Sequence, residues 1–336
     1  EEIKGRNLLI ATGSIPAALP IAGMDGGGII TSDQLLDLDK VPERLAIIGG
    51  GVVGLEFACI FNSFGSKVTV FEYMPELLNR MDHELGKRLR VFLKKQRIIV
   101  HTSAAVEKIE PLESAWQLSA TGRKGLIKTQ ADIILNAGGR KACTNGLNLD
   151  KLGIATDEKG FIKVNSHFAT NVEGIYAIGD VIGGAMLAHV ASEEGICVVD
   201  KIAGLDSAFH SQAVPACVFT IPEIASVGLS EEEARAQGME VRSGKFSFAA
   251  NGKAMTLGET DGMVKVLADQ DDTIIGMHII GPHASDLIME GTIMVKNRMK
   301  ISNITGTIHP HPTLSEAILE AILDIRGQAI HLAPPR

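Results

Sequence analysis

The run Gly49-Gly50-Gly51-Val52-Val53-Gly54 constrains this chain more than any other stretch, because it satisfies G-x-G-x-x-G between a strand-like and a helix-like pattern. Leu45-Ala46-Ile47-Ile48 precedes it, and the residues from Val52 to about Ser63 read as a helix that Gly65 ends. In such a unit the first glycine permits the tight turn, the second lets backbone approach a pyrophosphate, and the third allows helix and strand to pack closely. The helix N-terminus adds unpaired N–H groups and a positive dipole end. Lys67 to Phe71 is the next strand, so the segment opens a parallel α/β sheet. Glu72 closes that strand 18 residues past Gly54, near the ~20 at which an acid accepts ribose hydroxyls. A carboxylate there favours NAD over its 2′-phosphate form, and Tyr73-Met74-Pro75-Glu76 supplies no arginine, Arg80 standing farther on. The structural alternatives are a simple tight turn and an exposed strand-end glutamate.

The remaining pattern organises the chain. Asp82 to Lys95 reads as a helix, Ile98-Ile99-Val100 and Ile133-Ile134-Leu135 as strands, which brackets a Rossmann-like nucleotide-binding domain at 14–139. Gly174 to Ile178 leads into Gly179-Asp180 and a helix from about Val190 to Ile202, within a central segment at 140–213. Beyond Pro215, strands at 217–220, 262–267 and 274–280 and helices at 230–237 and 285–296 predict an α+β domain over 214–336, suited to dimerisation. The 336 residues are 45% apolar and 21% charged, which excludes a disordered chain, and a net charge of −8 gives no general reason to seek nucleic acid or an anionic membrane. No apolar run approaches the ~18–20 residues of a spanning helix. Cys59, Cys143, Cys197 and Cys217 are separated by 84, 54 and 20 positions, which fits neither a disulfide framework nor a C-x-x-C pair and predicts a reducing, cytoplasmic setting. The first residues lack the features of a signal peptide.

Ala11-Thr12-Gly13-Ser14, the glycine motif with Glu56, Gly179-Asp180, Met186-Leu187-Ala188-His189 and His309-Pro310-His311-Pro312-Thr313-Leu314-Ser315-Glu316 together resemble the pyridine nucleotide-disulfide oxidoreductases over the whole chain. The resemblance implies FAD and NAD as cofactors, a homodimer, and oxidation of a dithiol, a lipoyl-bearing protein or a small molecule, through FAD and a cysteine pair. It places the ribityl hydroxyls of FAD on Asp180, the adenine-linked portion near Thr12, Gly13 and Ser14, and the pyrimidine side of the flavin at the helix start, Met186 to His189. Met186 as a core residue, His189 as a helix cap and Gly179-Asp180 as a plain turn are the alternatives. Glu56 and Gly139 match family residues near the nicotinamide. His311 is the expected proton acceptor and Glu316 the acid that orients it. Thr313-x-x-Glu316 is also a capping box for a helix over Leu314 to Ile325, and both roles can coexist. His309 and His311 without a cysteine or carboxylate cluster make a poor metal site, so no metal is expected.

Departures from the family pattern matter as much. Lys141-Ala142-Cys143 stands where arginine-proline-asparagine is usual. There is no Cys-x4-Cys, and no second G-x-G-x-x-G precedes residue 13. Residues 1–13 therefore read as the remnant of an FAD-binding domain, with N-terminal truncation the simplest explanation. The competing expectations are another disulfide reductase or a transhydrogenase flavoprotein of the family, and a catalytically inactive NAD-binding, dimerising fragment.

Overall fold

The computed structural model describes residues 2–205, 209 and 213–332. The chain divides into two compact units, residues 1–18 with 139–211 and residues 19–138 with 212–336.

The larger unit holds two five-stranded sheets of opposite character. In the first, Ile29–Ile30, Ile133–Asn136, Arg44–Ile48, Lys67–Phe71 and Ile99–His101 lie side by side in that order, all parallel. Their near-continuous apolar runs are what a sheet covered on both faces requires. Leu45, Ile47, Val68 and Val70 pack on Leu55, Ala58 and Cys59 of the helix Val52–Ser63 and on Leu85, Leu89 and Leu93 of the helix His83–Lys95. Their alternates Ala46, Ile48 and Phe71 face Ile109, Leu118 and Ala120 on the opposite side. Those last residues belong to an antiparallel meander, Ala105–Pro111, Trp116–Gly122 and Gly125–Ala131, which the apolar periodicity does not single out.

The second sheet is antiparallel throughout, in the order Ala216–Val218, Glu223–Gly228, Ile274–Gly281, Met263–Asp269, Val241–Ser247. The helices Ala284–Lys296 and Glu316–Asp324 contribute Ile288, Ala317, Ile318, Ala321 and Ile322 to its core. The helix expected at 230–237 runs over Glu231–Ala236 and starts at a reciprocal Ser230/Glu233 capping box. The expected C-terminal helix begins at Glu316, not Leu314. Thr313 does not cap it, since its Oγ1 donates to Pro310 O and meets Ser315 Oγ, and only the reverse half of the box forms, Thr313 N–H to Glu316 Oε2 at 2.7 Å.

The smaller unit pairs Leu8–Ile10 with Ile175–Ala177 in parallel and Ser14–Pro16 with Arg140–Ala142 in antiparallel fashion. A tight 3₁₀ turn, Gly179–Ile182, and the helix Ala188–Ile202 follow. That helix begins two residues earlier than Val190. Leu187 occupies its N-cap, so His189 lies inside the first turn and is not the cap. Among the described residues no helix is long and apolar enough to cross a membrane.

Candidate functional site

The glycine turn has a distinct steric reason at each position. Gly49 sits at φ +116°, and a Cβ there would lie 2.3 Å from the Ala137 carbonyl oxygen. A Cβ on Gly54 would lie 2.1 Å from the Gly49 carbonyl oxygen, so the helix could not pack so close to the turn. Gly51 faces open space, with no atom within 4 Å of an added Cβ, and as the N-cap of Val52–Ser63 it offers no side chain to the N–H groups behind it. Backbone donors at an uncapped helix start beside an empty approach are what a pyrophosphate needs. Val52 and Val53 form the first half-buried turn of that helix. Glu72 is bonded back onto the turn, its Oε2 accepting from Gly50 N and its Oε1 from Met74 N, both at 2.6 Å. A carboxylate has about four lone-pair directions, so two remain for ribose hydroxyls.

Glu56, on the same helix, accepts the Phe219 N–H at 2.8 Å. Burial pushes its carboxyl up, and the Phe219 donor only partly opposes this. Gly139, at φ +144°, lies in the smaller unit with its Cα face open.

In the smaller unit the structure brings Ser14 and Asp180 together across 166 positions, Ser14 Oγ donating to Asp180 Oδ2. Arg140 completes the arrangement: its Nε donates to Ser14 Oγ at 2.6 Å, its Nη2 to the Ser14 carbonyl at 2.8 Å, and the guanidinium stands 3.9 Å from Asp180. Thr12 and Gly13 are tied to Cys143, through Thr12 Oγ1 to Cys143 O at 2.6 Å and Cys143 N to Gly13 O at 3.0 Å. The unusual Lys141-Ala142-Cys143 segment is thus paired with the strand Ser14–Pro16 and with the two residues that precede it. Buried Glu194 accepts the Gly179 N–H at 2.7 Å and fixes the turn that presents Asp180. Its carboxyl is pushed up by burial, against the Gly179 donor, and further up by the Asp180 charge. Met186 adopts φ +50° and, with Leu187, is only half-buried, whereas Ala188 and His189 are exposed at a helix start that no side chain caps. An anionic acceptor beside an uncapped helix N-terminus fits the ribityl and pyrimidine side of a flavin. Arg140 and Glu194 carry no motif of their own; the only signal was an acid within an otherwise apolar helix face.

On the antiparallel lobe, His311 Nδ1 lies 2.9 Å from Glu316 Oε1, with the His311 side chain 78% exposed. Burial alone would raise the Glu316 carboxyl, but the Thr313 N–H and the His311 ring outweigh it and hold it below the ordinary glutamate value. A carboxylate on Nδ1 makes that nitrogen the donor and leaves the lone pair on Nε2, facing solvent. The pair can therefore take up a proton from outside the chain. All four cysteines are free, Cys59 and Cys197 buried, Cys143 and Cys217 half-buried.

Residues 1–195 match the pyridine nucleotide-disulphide oxidoreductase family, and residues 214–322 match its dimerisation domain. The dihydrolipoyl dehydrogenase of Bacillus subtilis is 44% identical over 330 residues, 97% of this chain and 69% of that protein. The mitochondrial dihydrolipoyl dehydrogenase of Pisum sativum is 40% identical over 98% of this chain and 66% of its own length. The chain thus spans about two thirds of the length of these curated relatives. Among solved structures, the HOCl-induced flavoprotein disulfide reductase RclA from Escherichia coli superposes with a TM-score of 0.87 at 29% identity, covering 95% of this chain and 74% of that one. LpdA from Mycobacterium tuberculosis gives 0.84 at 30% identity, covering 94% and 68%. With its glycine turn, its Asp180 cradle, its His–Glu pair and these matches, the chain belongs to the pyridine nucleotide-disulphide oxidoreductases, the flavoprotein family that includes the dihydrolipoyl dehydrogenases.

Proposed function

We propose that this chain carries the NAD-binding, flavin-facing and dimerising parts of a dihydrolipoyl dehydrogenase, whose substrate is a dihydrolipoyl group on a protein or a small dithiol. The observation that carries the reading is the His311–Glu316 pair, a solvent-facing base already oriented by a carboxylate at 2.9 Å. Bound FAD supplies two-electron relay between a thiol pair and the nicotinamide. The chain's own residues do the rest. Gly51 and the helix behind it would hold the pyrophosphate, and Glu72 the ribose. Asp180, set by Ser14 and Arg140, would accept ribityl hydroxyls, and the positive end of the Ala188 helix would favour the pyrimidine side of the flavin. His311 Nε2 takes a thiol proton, and Glu316 stabilises the resulting imidazolium. None of the four cysteines forms a Cys-x4-Cys pair, so these 336 residues supply the acid–base and nucleotide halves of the reaction and not the thiol relay.

Two measurements test the reading. Calorimetric titration of the chain should give tighter binding of NADH than of NADPH, because a 2′-phosphate would meet the Glu72 carboxylate that the Gly50 and Met74 N–H groups hold in place. Equal or tighter NADPH binding would reject the cofactor assignment. Sedimentation should give a twofold dimer. Met289 and Ile293, one turn apart on Ala284–Lys296 and 51% and 52% exposed, supply an apolar contact row within the matched dimerisation domain. A monomer at micromolar concentration would overturn the dimer.

A further inference from the structure

Gly50 stands where the phosphate-binding pattern does not ask for glycine. It fills the first variable position of G-x-G-x-x-G, and its φ lies outside the left-handed region that Gly49 occupies. Its neighbours supply the reason. A Cβ on Gly50 would lie 2.6 Å from Leu77 Cδ2, 2.9 Å from Glu72 Cβ and 3.0 Å from Glu72 Oε2, all inside ordinary packing distance. Leu77 cannot retreat. It is 1% exposed, in the core with Leu85 and Leu89, and its carbonyl oxygen is pressed against Gly86 of the helix His83–Lys95, 2.4 Å from where a Cβ there would be. The Glu72 main chain is held as well, its N–H donating to His101 O at 2.8 Å and its carbonyl accepting Ala104 N at 2.9 Å. Gly50 is itself tied down, because Leu78 N donates to its carbonyl at 3.1 Å. The end of the Glu72 side chain is what remains free to move.

We infer that Gly50 is a specificity-determining residue: having no side chain, it leaves the slot in which the Glu72 carboxylate is bonded back onto the turn, and so sets that carboxylate where ribose hydroxyls meet it. It acts through Glu72 as a positioning residue, and its ligand rests on the NAD reading above. In Gly50→Ala the new methyl crowds Oε2, the 2.6 Å bond from the residue-50 N–H is lost and the carboxylate swings out. Gly49, Gly51 and Gly54 still form the turn and the uncapped helix start. The acid then keeps its charge and loses its place. Gly51 gives the contrast, since a Cβ there would enter open space on the pyrophosphate approach and touch no part of Glu72.

Calorimetric titration with NADH and NADPH reads the role directly. Gly50→Ala should weaken NADH by about tenfold or more, the usual contribution of hydrogen bonds to a charged acceptor, and weaken NADPH by less than about threefold. Gly51→Ala should weaken both alike and keep the preference. A folded Gly50→Ala protein that prefers NADH as strongly as the wild type overturns the inference. Urea unfolding gives a second reading that needs no nucleotide. Glu72→Gly removes two of the three close atoms, so Gly50→Ala should destabilise the chain less in that background than in the wild type. Equal losses in both backgrounds would mean that the methyl does not displace Glu72, and would overturn the inference. If Gly50→Ala alone does not fold, recovery of a folded protein in the double variant supports the inference and failure to recover it overturns it. A wild-type chain without preference for NADH would reject the cofactor reading and leave the stability coupling intact, so the two failures are distinguishable.

Discussion

Replacing Lys265 by Met should destabilise the larger unit by about 3–5 kcal/mol, the usual penalty for removing one partner of a buried ion pair. Lys265 stands on the strand Met263–Asp269 with its side chain 2% exposed, and its Nζ lies 2.7 Å from both Asp82 Oδ2 and Glu231 Oε2. The Asp82 side chain is fully buried. It also caps the helix His83–Lys95, accepting Glu84 N at 3.1 Å, and it accepts Glu231 N at 3.3 Å. One lysine thus ties the parallel-sheet lobe to the antiparallel lobe, and its loss strands a carboxylate that two neutral donors cannot neutralise. Trp116, the single tryptophan, sits in the same unit and reports its unfolding in urea. An unchanged midpoint at pH 7 would reject the prediction.

The pH dependence gives a sharper test of the same cluster. Burial would raise the Asp82 carboxyl, but His278, Lys265 and the Glu231 N–H together outweigh it and lower it; burial would lower Lys265, and its two carboxylates outweigh that and raise it. His278, across the ladder from Lys265, is pushed down by burial despite the Asp82 charge. A depressed imidazole contributes stability above its unfolded value of about 6.5 and loses it as pH falls, because only the unfolded chain takes the proton. A depressed carboxyl contributes above about 4 and is lost below that; the raised lysine contributes up to about 10.5 and is lost above. Wild-type stability should therefore level off between about pH 7 and 10 and decline on the acid side from about 6.5. In Lys265→Met the stranded Asp82 can protonate, so the gap to wild type should narrow at pH 5. A gap that widens there would show that the carboxylate is not the cause.

That cluster also marks where sequence reasoning stops. Lys265 lies in an apolar strand run, and Asp82 lies 183 positions away, so no local pattern connects them. The same holds for Arg140, Ser14 and Asp180, joined over 126 and 166 positions. The glycine turn was legible because its function is local: Gly49, Gly51 and Gly54 act through their own backbone, and Glu72 folds back onto Gly50 within 22 positions. His311 and Glu316 were legible for the same reason, five positions apart. The start of their helix was not. Leu314 extends the apolar periodicity, but Glu316 turns back to Thr313 N, and the helix opens only at Glu316 itself. The meander over residues 105–131 is not legible from periodicity, because its inward residues, such as Ile109 and Leu118, are few and flanked by lysine, glutamate and glutamine.

On the function proposed above, the largest functional effect should come from His311→Gln, assayed in a flavoenzyme in which this sequence is joined to a redox-active cysteine pair. Positioned general-base catalysis contributes ~10²–10⁴-fold, and dihydrolipoamide oxidation should fall by about that factor. NADH binding should stay near wild type, because the nucleotide site proposed above is built from Gly51, the helix behind it and Glu72, none of which bonds the histidine. Glu316→Gln should do less harm. It keeps an acceptor for Nδ1 and removes the charge that favours the imidazolium, so the acid limb of the rate profile should move to lower pH. These 336 residues alone, given FAD, NAD and dihydrolipoamide, should show no turnover, because each of their four cysteines is an unpaired thiol. Steady-state kinetics of the enzyme variants and of this chain decide the assignment. Near-wild-type dithiol oxidation by the His311 variant would remove the base from its role, and turnover by the chain alone would require a thiol relay built from Cys59, Cys143, Cys197 or Cys217.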